Sequence, residues 1–270
     1  MAATKDYSAI AKRKIVKPSS SSRMPRYLVY GRQKKGKTRF CCTAPNVLVL
    51  DPEEGTKYET KLNPDVWPIT QWEDMHEAYE FLKGGSHSYE WVAIDGLTKI
   101  TTMALKWVTK RALERELDRP PEMIKIQDYG RSNEQIKQML HNFHSLGKIG
   151  MVITCQERMI VVEGPGEEDE DAEDATSMFV PDLPKGARSA VNSVVDVIGR
   201  IYMVKGDIQK KFKQADGKIV TRTIEGTQRR LWVGPHVSYD TGYRSEFTLP
   251  DMLADPTVTR LNHLIVEGKV

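Results

Sequence analysis

Residues 31–38 read Gly-Arg-Gln-Lys-Lys-Gly-Lys-Thr, a full match to the G-x-x-x-x-G-K-[ST] phosphate loop. The flanks agree with it. Leu28, Val29 and Tyr30 form a short apolar strand before the loop, and residues from Lys37 onward start a helix. A triphosphate is a dense anion and needs many donors close together. Gly31 and Gly36 let the backbone curl so that the N–H groups of Arg32, Gln33, Lys34, Lys35 and Arg39 point inward with their own. Free amides at the start of the helix add donors. Lys37 is expected to reach the terminal phosphates and the Thr38 hydroxyl to ligate Mg²⁺. The cofactors predicted are therefore ATP and Mg²⁺, held by residues 31–39.

The strands that follow extend this reading. Asn46 to Leu50 is a nearly continuous apolar run, as suits a parallel strand buried on both faces, and it ends in Asp51-Pro52-Glu53-Glu54-Gly55. In open α/β sheets ligands bind just past the carboxyl ends of strands. A carboxylate there can hold the attacking water, so Glu53 or Glu54 is the expected base. Trp91 to Asp95 is a second buried strand ending in an acid, and Asp95 is the expected partner of Thr38 at the metal. Ile149 to Thr154 is a third, followed by Cys155 and Gln156, whose amide can report on the terminal phosphate. Amphipathic periodicity predicts helices over 73–83, 98–116 and 128–146. The fold class expected is α/β, a mostly parallel sheet with helices on both faces.

The remainder of the chain is less regular. Residues 1–26 carry seven basic residues and one acid and include a serine run, so 1–25 reads as a flexible basic arm. Residues 163–174 carry eight acids and no base, so 157–185 reads as a mobile acidic loop or hairpin. Residues 208–213, 218–224 and 229–233 alternate polar and apolar, with Asp216-Gly217 as a hairpin turn. Across 199–244, ten basic residues meet four acids among Tyr202, Phe212, Trp232, Tyr239 and Tyr243. That mixture fits single-stranded nucleic acid, where bases stack and phosphates pair, and it equally fits a solvated hairpin with core aromatics. Short helices are expected over 249–253 and 258–266, and residues 251–270 form a helical tail to a core of 26–250. No apolar run approaches a membrane span, and the net charge of +3 permits a nucleic-acid partner. Cys41, Cys42 and Cys155 have no metal-ligand spacing, so free thiols and a cytoplasmic setting are expected.

In order, phosphate loop, Asp51-Pro52-Glu53, Ile94-Asp95 and Thr154-Cys155-Gln156, the chain resembles the RecA-like ATPases. Asp128 to Arg131, Val180 to Pro184 and Val195 to Arg200 look like the phage ATP-binding proteins of the Sak type, relatives implicated in single-strand annealing and recombination. That resemblance implies a DNA-stimulated ATPase acting on single-stranded DNA, assembled as a ring or filament, with a single-strand-binding protein as a candidate further partner. It favours Glu53 over Glu54 as the base, and makes Gln156 the link to a DNA-binding loop over 157–185. It also implies an arginine from the next subunit. Many relatives carry a Lys-x-Arg pair for this, and here the matching text is Gly242-Tyr243-Arg244, so Arg244 is the candidate, with Arg229, Arg230 and Arg200 as rivals. A helicase-type motor or loader, or a nucleotide-gated regulatory module without DNA activity, are the alternative readings.

Overall fold

The structure, a computed structural model, describes Lys14 and residues 24–116, 118–121, 123–162, 176–213 and 218–269. The basic arm, the acidic run 167–174 and the Asp216-Gly217 turn lie outside the described residues or almost wholly so.

The chain runs β1 (Arg26–Tyr30), α1 (Lys37–Cys41), β2 (Val47–Asp51), β3 (Asp65–Pro68), α2 (Glu73–Gly84), β4 (Trp91–Asp95), α3 (Leu97–Arg115), α4 (Ile126–Ser145) and β5 (Gly150–Cys155). It continues through β6 (Glu157–Val162), β7 (Thr176–Pro181), α5 (Lys185–Val194), β8 (Val197–Lys213), β9 (Ile219–Trp232), β10 (Gly242–Tyr243), β11 (Met252–Ala254) and α6 (Val258–Glu267). The main sheet has nine strands, ordered β11-β9-β8-β1-β5-β4-β2-β3, with β10 also on β8. From β8 through β1 to β3 every pairing is parallel; β9, β10 and β11 join antiparallel. This is the fold class expected from the sequence, an α/β sheet of the P-loop NTPase kind with antiparallel strands toward the C-terminus.

Why the apolar runs become central strands is visible in their packing. Every residue of β1, β2, β4 and β5 is buried. Alternation sends Leu28 and Tyr30 to one face, against α2 to α5, and Tyr27 and Val29 to the other, against α1 and α6. A sheet covered on both sides has no solvated face, so its strands lose the polar alternation of an exposed sheet. Helix ends follow local chemistry. The Asp74 carboxylate accepts from Thr70 N (2.7 Å) and Gln71 N (3.0 Å) at the start of α2. The Thr257 hydroxyl accepts from Arg260 N (3.1 Å) at the start of α6.

Three departures from expectation have physical causes. The helix expected over 249–253 is not formed: Met252–Ala254 is a strand on β9, with Leu253 buried between two less buried neighbours. Pairing with Leu231 and its neighbours on β9 supplies the segment's backbone hydrogen bonds, and Pro256 could not have continued a helix. The C-terminal residues also pack inward, since Val258, Leu261, Leu264 and Ile265 of α6 join the second core cluster. The short strands expected over 200–233 are fused into the long pair β8 and β9, in which Gly206 lies opposite Gly226 and the ribbon continues through both. Finally, α5 forms over residues for which the sequence predicted no helix; Ala187, Ala190, Val191 and Val194 face the core at helical spacing. Among the described residues no helix is long and apolar enough to cross a membrane.

Candidate nucleotide site

Parallel pairing brings the carboxyl ends of β1, β2, β4 and β5 to one edge of the sheet. The segments leaving those ends line a single cleft of about 490 Å³, bounded by Gln33, Lys34, Lys37, Thr38, Glu53, Asp95 and Gln156. Five of the expected site residues, Lys37, Thr38, Glu53, Asp95 and Gln156, are therefore together, although they come from four strand ends up to 119 positions apart in the chain.

The loop itself is curled as its glycines permit. Gly36 has φ +90° and Lys34 φ +60°, both in the left-handed region. A Cβ on Gly31 would collide with the Ile201 carbonyl of β8, so only glycine fits that close approach. Helix α1 has five residues and no side-chain N-cap, and its first amides are left to the loop side. Lys37 Nζ donates to Gly31 O (2.7 Å) and Arg32 O (2.9 Å), folding the ammonium back over the loop it belongs to. Burial lowers its pKa, while Cys155, Asp95, Glu53 and Glu157 oppose the shift. Arg32, Gln33 and Lys34 are exposed around the loop. Arg39 is exposed beside it and pairs with Glu59 at 3.5 Å.

The carboxylates facing the loop are arranged by their neighbours. Asp51 marks a strand end in the sequence, and the structure gives it a role the pattern did not assign. Its side chain accepts from Glu53 N (2.9 Å), Gly55 N (3.2 Å), Thr56 N (2.9 Å) and Thr56 Oγ1 (2.6 Å). Burial pushes the Asp51 pKa up, but these bonds outweigh it and hold the carboxyl below its ordinary value. The result is a fixed turn that carries Glu53 into the cleft and sends Glu54 outward, where its side chain is 82% exposed and pairs with Lys57. Burial, then the charge of Asp95, raise the Glu53 pKa, with Lys37 and Lys99 opposing.

Asp95 is buried at the end of β4 and accepts from Thr154 Oγ1 of β5 (2.6 Å). Thr38 hydrogen-bonds the same carboxyl. An ideal Cβ on Gly55 would lie 3.2 Å from Thr38 Oγ1 and 3.7 Å from Asp95 Oδ2, so both oxygens meet at one point. Among the described residues no group of three or more His, Cys, Asp or Glu forms a cage. A hydroxyl beside one carboxylate is the donor set that suits Mg²⁺, which keeps waters and phosphate oxygens in its shell. Burial raises the Asp95 pKa despite the two threonine bonds. Stability from this group is thus present below the ordinary carboxylate range and is lost as pH rises through the raised value. Asp95→Asn is expected to raise the Tm of the nucleotide-free protein at neutral pH, measured by calorimetry, and to abolish any Mg²⁺-dependent gain in ATP affinity.

Gln156 lines the cleft, and its backbone ties it to the next elements. Its N donates to Thr98 Oγ1 (3.1 Å) and its O accepts from Asp182 N (2.8 Å), so the hairpin β6–β7 starts and closes at this residue. Glu157 follows with its side chain 4% exposed, and pairs with Arg32 of the loop (3.1 Å) and Arg200 of β8 (2.9 Å). The Arg200 guanidinium lies over the rings of Phe179 (4.3 Å) and Tyr239 (4.5 Å). Tyr202 and Trp232 also contact Tyr239, and Tyr243 Oη accepts from Leu249 N. The aromatics of 199–244 are thus mostly engaged inside the protein, and Phe212 is the one of the five that is exposed. The hairpin is equally tied down, because Phe179 N donates to Ser238 O and Asp240 N to Phe179 O.

Arg244 is not at the loop of its own chain. Its N donates to Asp196 O, and the Asp196 carboxylate accepts from Arg26 N at the opposite end of β1. Arg229 is at the loop: a Cβ on Gly36 would come within 2.8 Å of its Cζ. All three cysteines are free and buried, and burial raises each thiol, Cys42 to about 12, so none supplies a thiolate at neutral pH.

No curated protein matches the chain. Residues 23–245 match the family model described as the AAA domain, a span that holds the loop, all four strand ends and the β8–β9 ribbon, and the chain belongs to that nucleotide-binding ATPase family.

Proposed function

We propose that this chain is a Mg²⁺-dependent, RecA-like ATPase of the Sak type that acts on single-stranded DNA and assembles as a ring or filament. The observation that carries the reading is the convergence of Lys37, Thr38, Glu53, Asp95 and Gln156 in one cleft at the carboxyl edge of the sheet. In the proposed reaction Glu53 takes a proton from water as the water oxygen bonds to the γ phosphorus, and the bond to the ADP oxygen breaks. Lys37 exchanges its carbonyl partners for phosphate oxygens and neutralises the developing charge. Thr38 and Asp95 would hold Mg²⁺, which when bound would draw charge from the phosphate oxygens. Gln156 reads the terminal phosphate and passes its presence to β6–β7, whose two ends meet at its backbone. Arg244, being at the far edge of the sheet, serves only a neighbouring copy.

Basic residues on β8 and β9 support the DNA assignment. The test is the ATPase rate with and without single-stranded DNA, with the mass of the assembly measured alongside. A rate that rises severalfold with DNA on an oligomer is expected. Absence of ATP-dependent single-strand binding at low salt would overturn the DNA assignment. That outcome favours a nucleotide-gated module for a protein partner, a reading supported by the internal packing of Tyr202, Trp232 and Tyr239.

A further inference from the structure

The β9 strand brings Arg229 against the phosphate loop, and it forms no ion pair among the described residues. Its backbone is anchored, since Asp255 N donates to Arg229 O (2.8 Å). Its Nε is buried without a hydrogen-bond partner among the described residues. No carboxylate of the described residues lies within ion-pair distance of it; Asp255 and Glu59 act on it only from further away. Burial and the nearby charge of Arg39 both lower its pKa. A guanidinium stays charged in proteins, so a half-buried one with an unmet donor and a second arginine beside it needs an anion.

The charges around the loop are divided between its flanks. Glu53 and Asp95 stand on the flank toward β2 and β4, with Gln156, just past β5, lining the same cleft. Arg229 stands on the flank toward β9, against Gly36, and Arg39, which lines the cleft and pairs with Glu59, is near enough to act on it. A triphosphate whose terminal group faces Glu53 has its inner phosphates on the arginine flank. We propose that Arg229 binds the inner phosphates of the nucleotide in its own chain and so sets the direction in which the triphosphate lies. The planar guanidinium fork suits two phosphate oxygens at once. This rests on the nucleotide-site reading above, and it differs from a role for Arg229 as a finger reaching into a neighbour: the side chain is committed to Gly36 of its own loop.

The test is the affinity of wild-type, Arg229→Gln and Arg229→Lys for ATP and for ADP, by calorimetric titration at fixed Mg²⁺ and salt. Inner phosphates are common to both nucleotides. Arg229→Gln is therefore expected to weaken ATP and ADP by the same factor, at least about tenfold, the range of a charge-assisted hydrogen bond. Arg229→Lys, which keeps stem and charge, is expected to lose severalfold for both and carries the test should the glutamine variant fail to fold. Unchanged ADP affinity with a loss confined to turnover would overturn the inference in favour of a finger acting on a neighbour. Unchanged affinities with a lowered Tm would overturn it in favour of a brace for Gly36. Wild-type protein that binds neither nucleotide would overturn the underlying reading as well, whereas normal wild-type binding with unaffected variants removes this inference alone.

Discussion

Lys37→Ala is expected to weaken ATP binding by at least about a hundredfold and to remove turnover, with the fold retained. The affinity figure follows from losing two charge-assisted contacts to phosphate, each on the order of 1.5–3 kcal/mol. The loop keeps its main-chain amides, so weak residual binding is consistent with the account. The fold survives because, among the described residues, the Lys37 ammonium bonds only Gly31 O and Arg32 O of its own loop. Titration calorimetry with ATP and Mg²⁺, a phosphate-release assay and a thermal melt together check the three parts. Wild-type-like turnover by the purified variant would remove Lys37 from the chemistry.

Glu53→Gln is expected to separate binding from hydrolysis. Glutamine keeps the size and one acceptor, so ATP affinity should stay within a few-fold, while turnover falls by about 10²–10⁴, the usual contribution of a general base. Glu54→Gln should change neither, because Glu54 points outward onto Lys57. Equal loss in both variants would mean that the turn held by Asp51 matters and the base lies elsewhere. The pH profile gives a second readout. Burial and the charge of Asp95 raise the Glu53 pKa. The acid limb of turnover should then sit above the range of an ordinary glutamate and should vanish in Glu53→Gln.

Much of this architecture was legible in the residues because the central strands announce themselves. Short apolar runs ending in Asp51, Asp95 and Cys155 fit strands covered on both faces, and a phosphate loop directly after β1 sets which edge carries the site. What was not legible has common causes. Asp51 looks like an interchangeable acid in a turn, and its four hydrogen bonds appear only once residues 52–56 are folded around it. Thr154 supports Asp95 across 59 positions, which no local pattern reveals. Met252–Ala254 pairs with β9 through tertiary contact that overrides short-range helix propensity. Helix α5 did carry a helical repeat, but its inward residues Ala187 and Ala190 are small and give a weak apolar stripe. Arg229 and Arg244 read alike as basic residues late in the chain, and only the register of β8 on β1 and β9 puts one at the loop and the other at the far edge.

The most direct test of the account is a crystal structure of the wild-type chain with Mg²⁺ and a non-hydrolysable ATP analogue. The account predicts phosphates inside the bend of residues 31–38, Lys37 Nζ moved from Gly31 O and Arg32 O onto phosphate oxygens, and the terminal phosphate facing Glu53. An analogue bound elsewhere, with Lys37 still on those two carbonyls, would contradict it.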